Sequence, residues 1–460
     1  MFRGTVKTIH FVGIGGIGMS GIAEVLLTLG FAVTGSDLRE GESVRRLRAL
    51  GATVHIGHTP DNLGTSDVVV RSTAVPTSNV EVAAALDKGI PVIRRAEMLA
   101  ELMRLKHGIA VAGSHGKTTT TSMLAGVLGA AGLDPTVVIG GKLDSLGGTN
   151  ARLGAGEYLL AEADESDGTF MHLTPTVSLV TNIDPEHLDH YGDEETLERA
   201  FVAFANKVPF YGFAVLCQDH PTVQRLIPEV RRRVVTYGVS RAAEYRASKI
   251  RTEGLVTRFA CFHHEQELGE VALGMPGRHN VVNAVGAVAV ARELEVPFPI
   301  IARALNGFTG VQRRFTVRGE AKGVLVVDDY AHHPVEIEAT LTAAESGFPE
   351  RRIIAVFQPH RYTRLESLFA EFCGAFNRAD TVLVCPVYRA GETPIEGCDH
   401  VAVGEAMRTR GHRGTLVVDS LDEAVSEIVA SSRPGDLVVT LGAGDVHKVC
   451  AGVLSSLEAQ

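Results

Sequence analysis

Tryptophan is absent from this 460-residue chain, an absence that by itself excludes nothing. Cysteine is scarce: Cys217, Cys261, Cys373, Cys385, Cys398 and Cys450 lie far apart, with no CxxC pair among them. That spacing excludes a zinc knuckle and a dense disulfide framework, and it fits isolated thiols in a reducing compartment. No apolar run is long enough to span a bilayer, and Met1–Thr8 carries no signal-peptide pattern, so membrane insertion is not expected and a cytoplasmic location is. Cations are outnumbered, 44 Lys+Arg against 54 Asp+Glu, for a net charge of −10. This balance argues against nucleic-acid partners, which need clustered cations. It still allows one small anion held by local backbone N–H groups.

What is present is ordinary for a soluble globular enzyme, with 45% hydrophobic and 21% charged residues. The length exceeds one ordinary core and implies two or three domains. Three segments follow from the pattern, 1–107, 108–311 and 312–460. The first alternates strand runs at Ile9–Ile14, Ala32–Gly35, Thr53–Ile56, Val68–Ser72 and Val92–Ile93 with helical stretches. The second places strands at Ile109–Gly113, Tyr158–Ala163, Thr176–Thr181, Val215–Leu216 and Arg233–Tyr237. Its stretch Arg246–Leu273 alternates more like antiparallel β, and the helix Asn280–Glu293 follows. The third gives Val324–Asp328, Ile353–Phe357, Thr381–Cys385, Thr415–Asp419 and Leu437–Leu441. Strands alternating with helices predict an α/β chain of parallel sheets covered on both faces.

In the middle segment Gly113-Ser114-His115-Gly116-Lys117-Thr118 follows an apolar strand and precedes a helix beginning at Thr119. Glycines let successive N–H groups line one concavity for phosphate oxygens, and the helix N-terminus adds partial positive charge. Lys117 can reach the β/γ-phosphates and the Thr118 hydroxyl can ligate Mg²⁺. The usual P-loop has four residues between its first glycine and the Gly-Lys pair, whereas only Ser114 and His115 intervene here; an ordinary glycine turn is the competing reading. Glu162 and His187, each after a strand, are candidate metal ligands, in stretches that also carry Asp164, Glu165, Asp167, Asp184 and Asp189. The bland alternative for that group is a set of solvated loop carboxylates.

At the front, Gly13-Ile14-Gly15-Gly16-Ile17-Gly18 matches GxGxxG between strand and helix, with Asp37 about 20 residues on. The rule reads NAD. The physics reads any diphosphate joined to a ribose, which a UDP-sugar also offers, and a structural tight turn is the remaining alternative. An oxidoreductase leaves the second phosphate loop unexplained, while a nucleoside triphosphate plus a UDP-like ligand accounts for both.

These loops and several further motifs resemble those of the Mur ligases of peptidoglycan synthesis, across all three segments. The carriers are His10–Gly21, Gly113–Thr121, Glu162–Asp167, Gly277–Asn283, Gly310–Phe315, Asp328–Pro334 and Phe357–Arg364. The resemblance implies a Rossmann-like UDP-sugar-binding domain (1–107), a central P-loop ATPase-like domain (108–311) and a Rossmann-like C-terminal domain that closes over the site (312–460). It implies ATP and Mg²⁺, with UDP-N-acetylmuramate and L-alanine as the substrates joined. Gly15, Gly16, Ile17, Gly18, Met19 and Ser20 would hold the diphosphate, with Asp37, His58 and Ser72 near the uridine. Gly113, Ser114, His115, Gly116, Lys117, Thr118 and Thr119 would serve ATP, with Asn280 and Asn283 near adenine; Thr118, Glu162 and His187 would hold the metal. Tyr330, His332 and Arg364 would form the alanine-side pocket, with Arg314, His360 and Arg361 joining Lys117 and His332 around the reacting groups. The competing reading of the His332-His333-Pro334 cluster is surface charge and a helix N-cap.

This sequence has Ser114 where the family commonly has Thr, Arg71-Ser72 where it often has Ser-Ser, and Ala331 where it often has Gly. The last would matter if a positive φ were needed there. Three rival functions remain open: a sister ligase that attaches a preformed peptide, an NAD-dependent oxidoreductase, and a nucleotide sensor without turnover.

Overall fold

The computed structural model describes residues 6–459 except Thr73 and 144–148, and leaves aside the side chains of 17, 140–143, 149, 150 and 189. The backbone divides into two compact units, one built from the first two segments, the other from Thr309–Gln460 with short pieces of the middle segment.

In the first unit the opening sheet is wholly parallel, in the order Thr53–Ile56, Ala32–Asp37, Thr8–Val12, Val68–Arg71, Val92–Arg94. Strand order reverses at Thr8–Val12, so its carboxyl end is the topological switch point where such sheets bind ligands. The glycine run leaves the strand there and enters the helix Ile17–Thr28.

A ten-stranded sheet follows. Its parallel centre runs Val234–Gly238, Phe213–Cys217, Val177–Val180, His107–Ala112, Tyr158–Glu162, Thr136–Leu143. The expected β-rich stretch after Arg246 is present as Tyr245–Glu253, Val256–His263 and Gln266–Leu273. The pair Thr136–Leu143 and Thr149–Arg152 was not foreseen; it is antiparallel and packs against the first helix. One hydrophobic cluster therefore runs from Ile9 and Leu26 through Val138 and Ala151 to Phe201 and Leu216, welding the two segments into one body.

The second unit holds a six-stranded sheet in the order Thr316–Ala321, Val324–Asp329, Asp436–Leu441, Arg352–Phe357, Thr381–Val384, Thr415–Val417. Only Thr316–Ala321, also unforeseen, is antiparallel. Val324–Asp329 and Asp436–Leu441 are buried along their whole length, because helices cover both faces and leave no side for polar alternation.

Candidate active site

The loop after His107–Ala112 owes its shape to two glycines. Gly113 has φ +133° and a Cβ there would lie 2.0 Å from Thr181 Oγ1; Gly116 has φ +79° and its Cβ would lie 2.7 Å from Asn283 Oδ1. The loop is stitched to the end of the neighbouring strand. Ser114 N donates to Asn182 O, His115 N to Asn182 Oδ1 at 2.7 Å, and the Thr181 hydroxyl to His115 O at 2.6 Å. Asp184 accepts from His220 at 3.2 Å and faces His115 at 3.3 Å; burial alone would raise its carboxyl, but these two imidazoles hold it well below the usual range.

Lys117 opens the helix Lys117–Ala130, and its Nζ donates to Gly113 O at 2.5 Å, Ser114 O at 3.1 Å and Glu165 Oε1 at 2.8 Å. Burial disfavours the ammonium, yet Glu165 and Asp164 outweigh it and raise Lys117, so the charge is retained. Glu165 is pushed up by burial against the pull of that lysine. Glu165, Glu186 and His187 place one ligand atom each within 4.8 Å of one another. Among the expected metal ligands His187 belongs to this trio. Glu162 does not, and lies in register with Val111, two residues before Gly113. Glu165 Oε2 is buried without a hydrogen-bond partner among the described residues, a donor set that suits a hard cation. The Asp189 side chain lies outside the described residues.

At the front loop, Gly13 N and Ile14 N donate to Ser36 O, and Gly15 N donates to Asp37 Oδ2 at 2.8 Å. Asp37 thus holds the glycine loop itself, with Gly15 too close for a Cβ (2.9 Å to the same oxygen). Ser72 lies against Gly13; Met19 and Ser20 are buried in the helix; the Ile17 side chain lies outside the described residues. His58 Nδ1 meets Ser36 Oγ at 2.9 Å and Glu81 Oε2 at 3.4 Å.

Two residues here were missed from sequence. Glu81 is fully buried and receives the Ser36 hydroxyl at 2.5 Å, the Asn62 amide at 2.5 Å and Thr59 N at 3.2 Å, with His10 at 3.4 Å. Burial by itself would raise it, but the bonds from His10, Ser36 and Asn62 win and hold its carboxyl at about 2. Arg95 packs its guanidinium over Gly18, where a Cβ would meet Nη1 at 2.9 Å, and pairs with Asp164 at 3.6 Å.

In the second unit, the carboxyl ends of Val324–Asp329 and Arg352–Phe357 flank Asp436–Leu441, and their loops bring the expected residues together. The His332 ring lies 5.1 Å from Tyr330 and 6.2 Å from His360. Arg364 Nη1 is 3.3 Å from His360 Nδ1, and the Arg314 guanidinium sits over the Tyr330 ring at 5.4 Å. His332 Nδ1 faces two acceptors, Tyr330 O at 3.0 Å and Glu336 Oε2 at 3.2 Å, so the proton belongs on Nδ1 and the lone pair on Nε2. Burial lowers His332 to about 4, the attraction of Glu336 notwithstanding; burial and then Arg364 lower His360 to about 4. Both are neutral at pH 7.

Arg361, with φ +68°, turns instead to Glu392 at 2.6 Å on the surface side. Ala331 is fully buried and is not among the residues with positive φ, so alanine fits this position without backbone strain. His333 caps the helix Pro334–Gly347 through Val335 N at 3.4 Å, which bears out the N-cap reading for that one histidine. Glu336, Tyr388 (stacked on His360) and Arg313 complete the cluster without having been foreseen. Asn283 stands against Gly116 in the first unit; Asn280, assigned to the second, donates to Pro276 O at 2.8 Å.

Comparison with known proteins agrees with this geometry. The Mur ligase family catalytic-domain model matches residues 8–107, the Mur ligase middle domain 111–291, and the Mur ligase glutamate ligase domain 313–444. A UDP-N-acetylmuramate–L-alanine ligase of Anaeromyxobacter dehalogenans is 55% identical over 100% of this chain and 99% of its own. The chain belongs to the Mur ligase family. Among solved Mur ligases, the UDP-N-acetylmuramate–alanine ligase of Thermotoga maritima matches with a TM-score of 0.82 and 30% identity, covering 99% of both chains. A murein peptide ligase of Psychrobacter arcticus matches with 0.70 and 25%, again over 99% of both. No helix among the described residues is long and apolar enough to cross a membrane.

Proposed function

We propose that this chain is an ATP-dependent ligase that joins L-alanine to the carboxylate of UDP-N-acetylmuramate, in the cytoplasmic synthesis of peptidoglycan precursors. The reading rests above all on two anion cradles in one body: the Gly13–Gly18 loop at a switch point, and the Gly113–Thr118 loop with its buried, charged Lys117. A dehydrogenase has use for the first alone.

The division of labour follows the three segments 1–107, 108–311 and 312–460. Gly15, Gly16, Ile17, Gly18, Met19 and Ser20 receive the diphosphate, with Asp37, His58 and Ser72 toward the uridine. Gly113–Thr119 receive the triphosphate, with Asn280 and Asn283 serving adenine. A carboxylate does not react with an amine at neutral pH, because its leaving oxide is poor. The sugar carboxylate therefore attacks the γ-phosphoryl group, ADP leaves, and an acyl phosphate remains. The alanine amine then adds to the acyl carbon, and inorganic phosphate departs from the tetrahedral intermediate. Both steps gather negative charge, which Lys117 and Arg314 would offset.

Thr118, Glu162 and His187, with Glu165 and Glu186 adjoining, would hold Mg²⁺, which when bound neutralises phosphate charge. Arg364 offers a planar fork for the amino-acid carboxylate, beside Tyr330 and His332. Neutral His332, with its lone pair on Nε2, suits a proton acceptor for the incoming ammonium, and His360 and Arg361 complete that side.

Phosphate release from purified protein with ATP, Mg²⁺, UDP-N-acetylmuramate and single amino acids tests the reading. Release that depends on L-alanine is expected. Turnover only with a preformed peptide would assign the chain to the sister ligases, and no turnover would favour a nucleotide sensor.

A further inference from the structure

Away from both phosphate loops, the first unit carries a second group of metal-ligating side chains. Glu244, His263 and His264 each offer a ligand atom within 4.8 Å of the others. They come from two separately anchored pieces of chain. Glu244 ends the turn after Val234–Gly238, which is tied down by Val239 N and Ser240 N donating to Asp219 at 2.7 and 2.9 Å. His263 closes the strand Val256–His263 and His264 begins the tight turn to Gln266–Leu273.

The donors are set rather than loosely displayed. The His263 ring stacks on Tyr245 at 4.4 Å and 13°, and the Tyr245 hydroxyl is fixed by Glu293 at 2.9 Å. His264 is exposed, but its backbone at φ +50° is held by its N–H donating to Glu244 O at 2.7 Å, which ties one ligand residue to another. The Glu244 carboxylate offers the third ligand atom of the group. Two nitrogen ligands and a carboxylate match the donor preference of Zn²⁺ or its neighbours, not that of Mg²⁺, which takes oxygen. Metal–ligand bonds of about 2.1 Å set tetrahedral ligand atoms about 3.4 Å apart, so donors that lie within 4.8 Å of one another close by at most about 1.4 Å, within reach of small side-chain rotations. Glu293 adds negative potential and Arg292 opposes it.

We propose that Glu244, His263 and His264 form a transition-metal site that clamps the 263–266 turn to the preceding turn, with water completing the coordination sphere. It is separate from the Mg²⁺ positions of the ligase reaction and carries no step of it.

The test uses full-length protein in millimolar Mg²⁺, which occupies the oxygen-rich ATP region, titrated with Zn²⁺ by calorimetry. Wild type is expected to bind one more equivalent than His264→Asn, a substitution that tolerates positive φ, and than Glu244→Gln. The melting temperature of wild type alone should rise with Zn²⁺, and ligase turnover in Mg²⁺ should be equal in all three. Co²⁺ should give a d–d absorption band in wild type that both variants lack. Equal Zn²⁺ stoichiometry and affinity in wild type and both variants would overturn the proposal, as would variants that bind Zn²⁺ less than tenfold more weakly.

Discussion

Lys117 Nζ stands 2.8 Å from Glu165 Oε1 and is shared with two carbonyl oxygens of its own loop, so the ammonium we assign to a triphosphate already meets three acceptors. Glu165 helps keep that charge in a buried place, and on our assignment phosphate oxygens would take over its part. Stability and catalysis are thereby coupled at one side chain.

Lys117→Ala should lower kcat by at least about 10³-fold, the upper range for losing one charge-stabilising donor, while UDP-sugar binding measured by calorimetry stays unchanged. It also strands a buried carboxylate. Lys117→Ala/Glu165→Gln should recover most of the melting temperature lost by the single variant and none of its turnover. Ligase activity within tenfold of wild type in either variant would remove Lys117 from its assigned role.

Gly116→Ala should raise the KM for ATP at least about tenfold, because a left-handed non-glycine residue costs ~1–2 kcal/mol and its Cβ would press on Asn283 Oδ1 at 2.7 Å. The control lies on the same helix. Gly126 would meet nothing within 4 Å, so Gly126→Ala should leave the KM alone and stabilise by about 0.5–1 kcal/mol. Steady-state kinetics and thermal melts of the two variants decide the matter.

Glu81→Ala should cost about 3–5 kcal/mol, the range for removing one partner of a buried charged network, since Ser36, Asn62 and His10 lose their acceptor together. Glu81→Gln keeps the shape and should cost less, but should raise the KM for the UDP-sugar through the looser His58. The folded pKa of about 2 lies below the ordinary glutamate value of 4.5, so this contribution is complete above 4.5 and fades as pH falls toward 2. Urea melts at pH 7 and pH 3.5 should show the gap between wild type and Glu81→Gln narrowing at the lower pH.

His279, His332 and His360 are all lowered to about 4, by burial first, from the ordinary imidazole value of 6.5. An unfolded chain takes up these protons first, so their share of stability is full above 6.5 and is lost as pH falls toward 4. Asp329 and Glu165, raised by burial to about 6 and about 7, act in the opposite sense and favour the folded state increasingly as pH falls toward the ordinary carboxylate range. Three histidines against two carboxylates leave a net loss on acidification from these groups. Between pH 7 and 5 wild type should lose more stability than His332→Gln, by up to about 1.4 kcal/mol per pH unit below 6.5; parallel losses in the two proteins would contradict a buried neutral His332.

Each glycine loop was legible because glycine at fixed offsets between an apolar strand and a helix has few other uses, and the parallel strands other than Thr136–Leu143 were found within a few residues, whereas the antiparallel edge strand Thr316–Ala321 was not. The hairpin Thr136–Arg152 was not, because Gly140-Gly141 breaks its apolar run and its partner is a helix more than a hundred positions earlier. The pairing of Arg361 with Glu392, 31 positions away, could not be read from the local motif.

The sequence by itself determined the chemistry available: two glycine-built anion cradles, a lysine at one of them, and a histidine–arginine group after two parallel strands. Tertiary structure decided which charges sit where water cannot reach them. Glu81 in the first turn of an ordinary helix reads as a solvated carboxylate, and only packing against His10, Ser36, His58 and Asn62 makes it a buried anion. Local pattern reports backbone shape and face; the desolvation that sets a side chain's charge comes from residues far off in the chain, and no local pattern records it.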